Sequence, residues 1–150
     1  MTTLGDLLGD EANRLMSNSA NVGDVFYLEL DSRDGITPKL GDTRNKFFIV
    51  LGFNAQGDVI GGLVINSHIN YNLPSSITDY QMPISKEQCP FLLHDSFVNC
   101  SHLITANKNK FKHDSYRGHI DDEELMGQIV GAVKESPTAN PRMLREFGII

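Results

Sequence analysis

The chain has 150 residues, 40% of them hydrophobic, and a formal net charge of −6. That size fits one domain with a real core, and the ordinary balance of apolar and charged residues excludes a disordered chain. The acidic balance argues against gripping duplex DNA by bulk charge, while leaving room for a small basic site on an acidic body. No run approaches the roughly 20 apolar residues that span a bilayer. Met1–Asp6 lacks the basic and apolar stretches of a signal peptide, so a cytoplasmic protein without membrane partners is expected. Cys89 and Cys100 are then expected as free thiols, with neither a zinc site nor a cofactor.

In chain order, Leu4, Leu7, Leu8, Ala12, Leu15 and Met16 fall at helical spacing, which predicts a short amphipathic helix broken at 17–21. Gly23–Leu30 alternates and reads as a strand. Residues 32–45 read as a long loop of turn chemistry, carrying Arg33, Lys39 and Arg44, with Lys46 at its end. Lys46–Phe53 and Val59–His68 then form the arms of a β-hairpin around the polar turn at 54–58. Neither arm alternates cleanly, so both should be covered on two faces, as in the wall of a closed barrel.

After a polar loop at 69–79, whose Tyr71–Asp79 part is a candidate groove wall without assigned chemistry, Tyr80–Ile84 reads as a short edge strand, because Pro83 cannot donate to a ladder. Asp95–Cys100 and His102–Ala106 read as one bent strand or two. Lys108–His113 is the densest basic run and holds Phe111, a pattern that suits a nucleic-acid strand through charge and stacking. Asp121 as N-cap with Glu124 three residues on predicts a helix with Leu125, Met126, Ile129, Val130 and Val133 on its apolar face, stopped by Pro137. Pro141 and Gly148 bracket a last short helix.

In an antiparallel pair the start of one strand lies beside the end of the next. The hairpin is therefore expected to bring Arg44, Lys46, Ser67 and His68 to one rim. His94 and His102 flank a predicted strand and are read as structural, and no pair of histidines has metal-ligand spacing.

The order of these features resembles the MazF/PemK/Kid growth-inhibitor toxins over roughly residues 22–135. Gly23-Asp24-Val25 is similar to the family's opening strand. Lys46-Phe47 stands where the family has Arg-Pro before an apolar strand, and Asn66-Ser67-His68 where it has a Thr/Ser-containing strand end. Asp95–Val98 and Gly118-His119-Ile120 resemble the later strand and the turn into the helix. The resemblance implies a mainly β fold with helices: an SH3-like small β-barrel over 22–118, an N-terminal helical extension over 1–20 and C-terminal helices over 119–148. It further implies a homodimer, an antitoxin partner and metal-independent cleavage of single-stranded RNA.

Cleavage of that kind needs a base for the 2′-hydroxyl proton, an acid for the leaving oxygen, and donors or cations for the phosphate. Arg44 or Lys46 is expected to stabilise the phosphate charge, Ser67 to hydrogen-bond it, and His68 to move a proton near neutral pH. Arg33, Lys39, Lys108, Lys110 and Lys112 are the candidate strand-binding cations. The alternative is a catalytically inactive barrel of the same descent that binds a protein or nucleic-acid partner. A plain SH3-like peptide module ranks last, since the chain has no Trp.

Overall fold

The computed structural model describes residues 20–31 and 43–150, together with Gly9. Apart from Gly9, the expected N-terminal helix lies outside these residues. So do positions 32–42, with Arg33 and Lys39, and the side chain of Arg44. The described chain is mainly β. Seven strands form one sheet: β1 (Asp24–Asp31), β2 (Thr43–Phe53), β3 (Val59–Asn66), β4 (Gln81–Ile84), β5 (Ser96–Asn99), β6 (Ile104–Asn107) and β7 (Tyr116–His119). The helices are α1 (Ser75–Thr78), α2 (Glu123–Glu135) and α3 (Pro141–Glu146). None of them is long and apolar enough to cross a membrane.

The hairpin is the centre of the sheet. The strand order is β4-β5-β3-β2-β1-β7, all described pairings are antiparallel, and β6 joins β3 beside the turn end. β3 thus has two successive partners: its first half pairs with β6 and its last residues with β5. Among the described residues the pairings do not close into a ring.

Both faces of the hairpin are covered, as the lack of alternation predicts. Ile49, Leu51, Leu63 and Ile65 face one cluster, which Leu125, Ile129 and Val133 of α2, Leu144 of α3 and Phe147 just after it complete. Phe48, Val50, Ile60 and Val64 face the other, enclosed by Phe26, Leu28 and Leu30 of β1, Ile104 and Ala106 of β6, and Phe111. A bulge between Val50 and Gly52 gives β2 an extra residue and turns the strand at that point. Opposite it, glycines remove side chains where the chain has no room. A Cβ on Gly52 would meet the Phe147 carbonyl, and one on Gly62 would meet the Ile49 carbonyl and the Phe48 ring.

The Gly23-Asp24 pair serves the fold. Gly23 has φ +94°, and Asp24 is buried. One Asp24 oxygen accepts from the Asn21 amide at 2.8 Å, and the other accepts from His119 Nδ1 at 2.8 Å. This carboxylate ties the start of β1 to the end of β7, a strand that the sequence reading treats as a turn. Burial and the carboxylates of Asp24 and Asp121 push the neighbouring Tyr116 hydroxyl above its ordinary pKa.

Two other expectations change in detail. The segment after residue 95 is two strands, and they pair with different parts of β3. The N-cap of α2 is Asp122, whose Oδ1 accepts from the Leu125 amide at 3.0 Å, so the cap falls one residue after the expected Asp121 and, with Leu125 three residues on, it makes no capping box. The cap must precede the first residue whose stripe reaches the core, and Leu125, Ile129 and Val133 set that phase. α3 begins with Pro141 behind Asn140, whose side chain caps two amides, and Gly148 follows with φ +72°.

Candidate functional site

The rim exists. Phe47 pairs with Ile65, so the next pair outward sets Lys46 beside Asn66. Lys46 Nζ donates to Asn66 Oδ1 at 2.6 Å. Beyond that pair the chain leaves the sheet, and Ser67 and His68 are exposed. Lys46, Ser67 and His68 line one cavity of about 410 Å³. Its far wall is Leu73, Ile77 and Thr78, from the 69–79 loop and α1. The expected groove wall is therefore in place. Of Arg44 only the backbone is described, paired with Leu30 in the β1–β2 ladder.

Four amides that sequence reasoning left out of the site also line the cavity: Asn66, Asn70, Gln81 and Asn99. Gln81 and Asn99 are register partners on β4 and β5. Gln81 Nε2 donates to Asn99 Oδ1 at 2.9 Å and to the Ile77 carbonyl at 3.1 Å. Asn99 Oδ1 also accepts from the Ser101 amide at 3.1 Å. A small hydrogen-bonded polar floor results, and its bond to the Ile77 carbonyl ties α1 to the sheet edge. Asn66 is adjacent to the residues singled out, so its place was readable. Gln81 and Asn99 needed the β4–β5 register.

On the other side of the Lys46–Asn66 pair is a second hollow of about 270 Å³, lined among others by Tyr27, Asn45, Lys46, Asn66, Ser67, His94 and Ser96. Lys46, Asn66 and Ser67 line both hollows, so the two form one groove across the strand ends. A third hollow, of about 500 Å³, takes over from Tyr27 and Asn45 and runs to Lys110 and Lys112. Tyr27 lies between the last two, its ring 4.9 Å from that of Phe47 and 5.7 Å from the Arg117 guanidinium.

The basic run divides. Lys110 and Lys112 line the groove, and Lys110 Nζ reaches the Glu29 carbonyl at 3.3 Å. Lys108 is half-buried and lines none of the three hollows. The expectation that Phe111 stacks on a nucleic-acid base is overturned: it is fully buried, packing edge-on against Phe26 at 5.0 Å and Phe48 at 5.3 Å. A large ring at the mouth of an apolar cluster gains more from burial than from exposure. His94, read as structural, is exposed and lies in the groove. His102 lies elsewhere, in a hollow with Cys100, Thr138 and Met143.

Cys89 and Cys100, expected as free thiols, are free and buried. Burial pushes the Cys100 thiol up to about 12, against a weaker backbone hydrogen bond at Met82. Burial and the Asp122 carboxylate raise Cys89 as well. Neither thiol has the depressed pKa of a nucleophile. Among the described residues, no group of three or more His, Cys, Asp or Glu side chains could hold a metal ion.

Compared with protein-family models and with curated proteins, the chain matches none.

Proposed function

We propose that the chain is a toxin-like endoribonuclease of the MazF/PemK kind, cleaving single-stranded RNA without a metal and silenced by an antitoxin protein. One observation carries the reading: Lys46, Ser67 and His68 converge on a single open cavity at the end of the central hairpin. A cation, a hydroxyl and an imidazole are the groups that phosphate transesterification requires. The enclosed cluster between β1, β2, β3, β6 and Phe111 supports an SH3-like barrel as the scaffold. The hollow that continues from Tyr27 and Asn45 offers Lys110 and Lys112 to phosphates and Tyr27 to bases, against the carboxylates of Glu29, Asp31 and Asp114 on the same lining. As in the resembling family, the protein would act as a homodimer in the cytoplasm.

The test is expression in a bacterial host, with growth followed alongside cleavage of a single-stranded RNA oligonucleotide by the purified protein. The wild type should arrest growth and cut RNA, while Lys46→Ala and His68→Ala should do neither. Equal cleavage by both variants removes the assignment. A barrel that binds a partner without cutting is the second reading, favoured by the net charge of −6, which weakens the hold on a polyanion. It predicts no cleavage by the wild type and retained binding of an RNA oligonucleotide or a protein partner.

A further inference from the structure

We propose that His94 is the second proton-transfer residue of this site, acting as the general base opposite His68. The inference rests on the endoribonuclease reading and assigns the half of the acid–base chemistry that one histidine cannot supply at the same moment. Displacement at phosphorus with a 2′-hydroxyl nucleophile needs proton acceptance on one side of the phosphate and proton donation on the other. The groove has that layout. Lys46, Asn66 and Ser67 are common to both hollows, while His68 lines the first and His94 the second. A phosphate held at Lys46 and Ser67 would then lie between the hollow that His68 lines and the hollow that His94 lines.

The setting of His94 is that of an oriented base. Its Nδ1 lies 2.9 Å from the Asp95 carbonyl oxygen, which can only accept, so Nδ1 carries the hydrogen. Ser96 is buried at 6% exposure; its hydroxyl donates to the His94 carbonyl at 3.0 Å and lies 3.3 Å from Nδ1. In the neutral ring these contacts leave Nε2 with the lone pair. The charged groups around the ring are Lys46 across the hollow and the adjacent Asp95, whose carboxylate accepts from the Lys86 amide at 2.8 Å. The step balances without a co-reactant. Nε2 of His94 takes the 2′-hydroxyl proton, and O2′ bonds to phosphorus. The bond from phosphorus to O5′ breaks, and protonated His68 gives its proton to O5′. The products are a 2′,3′-cyclic phosphate and a free 5′-hydroxyl.

The experiment compares wild type, His94→Gln and His68→Gln on a single-stranded RNA oligonucleotide and on uridine 3′-(p-nitrophenyl phosphate). The leaving group of the second substrate needs no proton. Each variant should lose about 10²–10⁴-fold on RNA. On the nitrophenyl ester, His68→Gln should recover most of its loss and His94→Gln should not. The proposal is overturned if His94→Gln cuts RNA within twofold of wild type, or if the nitrophenyl ester restores it. An NMR titration with cytidine 3′-monophosphate separates the two levels of the argument. Both imidazole signals should move on binding. Movement of His68 alone overturns the role of His94, and movement of neither overturns the shared site as well.

Discussion

The two ends of the central hairpin are built on opposite terms. At the turn end, β2 and β3 meet through Gly52, Gly61 and Gly62; Phe147 from the C-terminal segment lies where side chains on Gly52 and Gly61 would be, and the Ile49 carbonyl and the Phe48 ring lie where one on Gly62 would be. At the other end the strands run out at Lys46 and Asn66 into exposed Ser67 and His68, with a cavity where a packed side chain could have been. One end is closed by removing atoms, and the other stays open by placing polar atoms around a hollow. Tight packing at the first end fixes the strand register, and that register decides which side chains meet at the second. A substitution at the turn end should therefore cost stability and one at the rim should cost activity.

The sharpest way to break this contrast is Gly62→Ala. The added methyl would meet the Ile49 carbonyl and the Phe48 ring, and a ladder backbone has little room to retreat. We expect a loss of about 3 kcal/mol or more in urea unfolding. Gly57→Ala is the control. Its surroundings are open and only its φ of +74° resists a side chain, so about 1 kcal/mol is expected. Equal losses at the two positions would show that the turn end is not close-packed.

At the rim, Lys46→Ala should lower RNA cleavage by about 10²–10³-fold, the scale for removing one group that stabilises charge at a reacting phosphate. Stability should change by less than about 1 kcal/mol, the scale for a half-buried bond such as that to Asn66 at a strand end. A variant that unfolds as readily as Gly62→Ala would mean that the lysine is a structural lock and that the two ends are alike.

How much of this could be read in advance follows from the range of each interaction. The hairpin, its two covered faces and the meeting of Lys46 with Ser67 and His68 follow from local pattern and one antiparallel rule. Pro83 on an edge strand and the bracket of Pro141 and Gly148 are local too. The rest is non-local. Gln81 and Asn99 enter the cavity through a strand pairing that composition does not specify. Phe111 reads as part of a basic surface run until β1 and β2 supply the cluster that takes it inside. His94 reads as a strand-flanking histidine until the groove passes it.

The helix that covers the sheet offers a smaller test. Asp122→Ala should cost about 1 kcal/mol by releasing the Leu125 amide, and Asp121→Ala should cost a few tenths. The reverse order would restore the cap expected from sequence. It would also shift the start of α2, and the buried stripe of Leu125, Ile129 and Val133 is what excludes that shift.

The least visible effect belongs to the covered face beneath that helix. Cys100 is buried there, with its thiol raised from an ordinary 9.0 to about 12. A raised acid means that the folded chain holds a proton which the unfolded chain releases, so the stabilisation is complete below pH 9 and declines as pH rises toward 12. Stability measured by urea unfolding should therefore fall across that range, and Cys100→Ala should reduce the fall, leaving the shares of Cys89 and Tyr116, which are raised as well. A thiol reagent at pH 8 should label neither cysteine until denaturant is added, whereas the rim residues stay open to water throughout. Rapid labelling of Cys100 in the native protein would mean that the covered face opens as freely as the rim, and the difference between the two regions would then be one of composition alone.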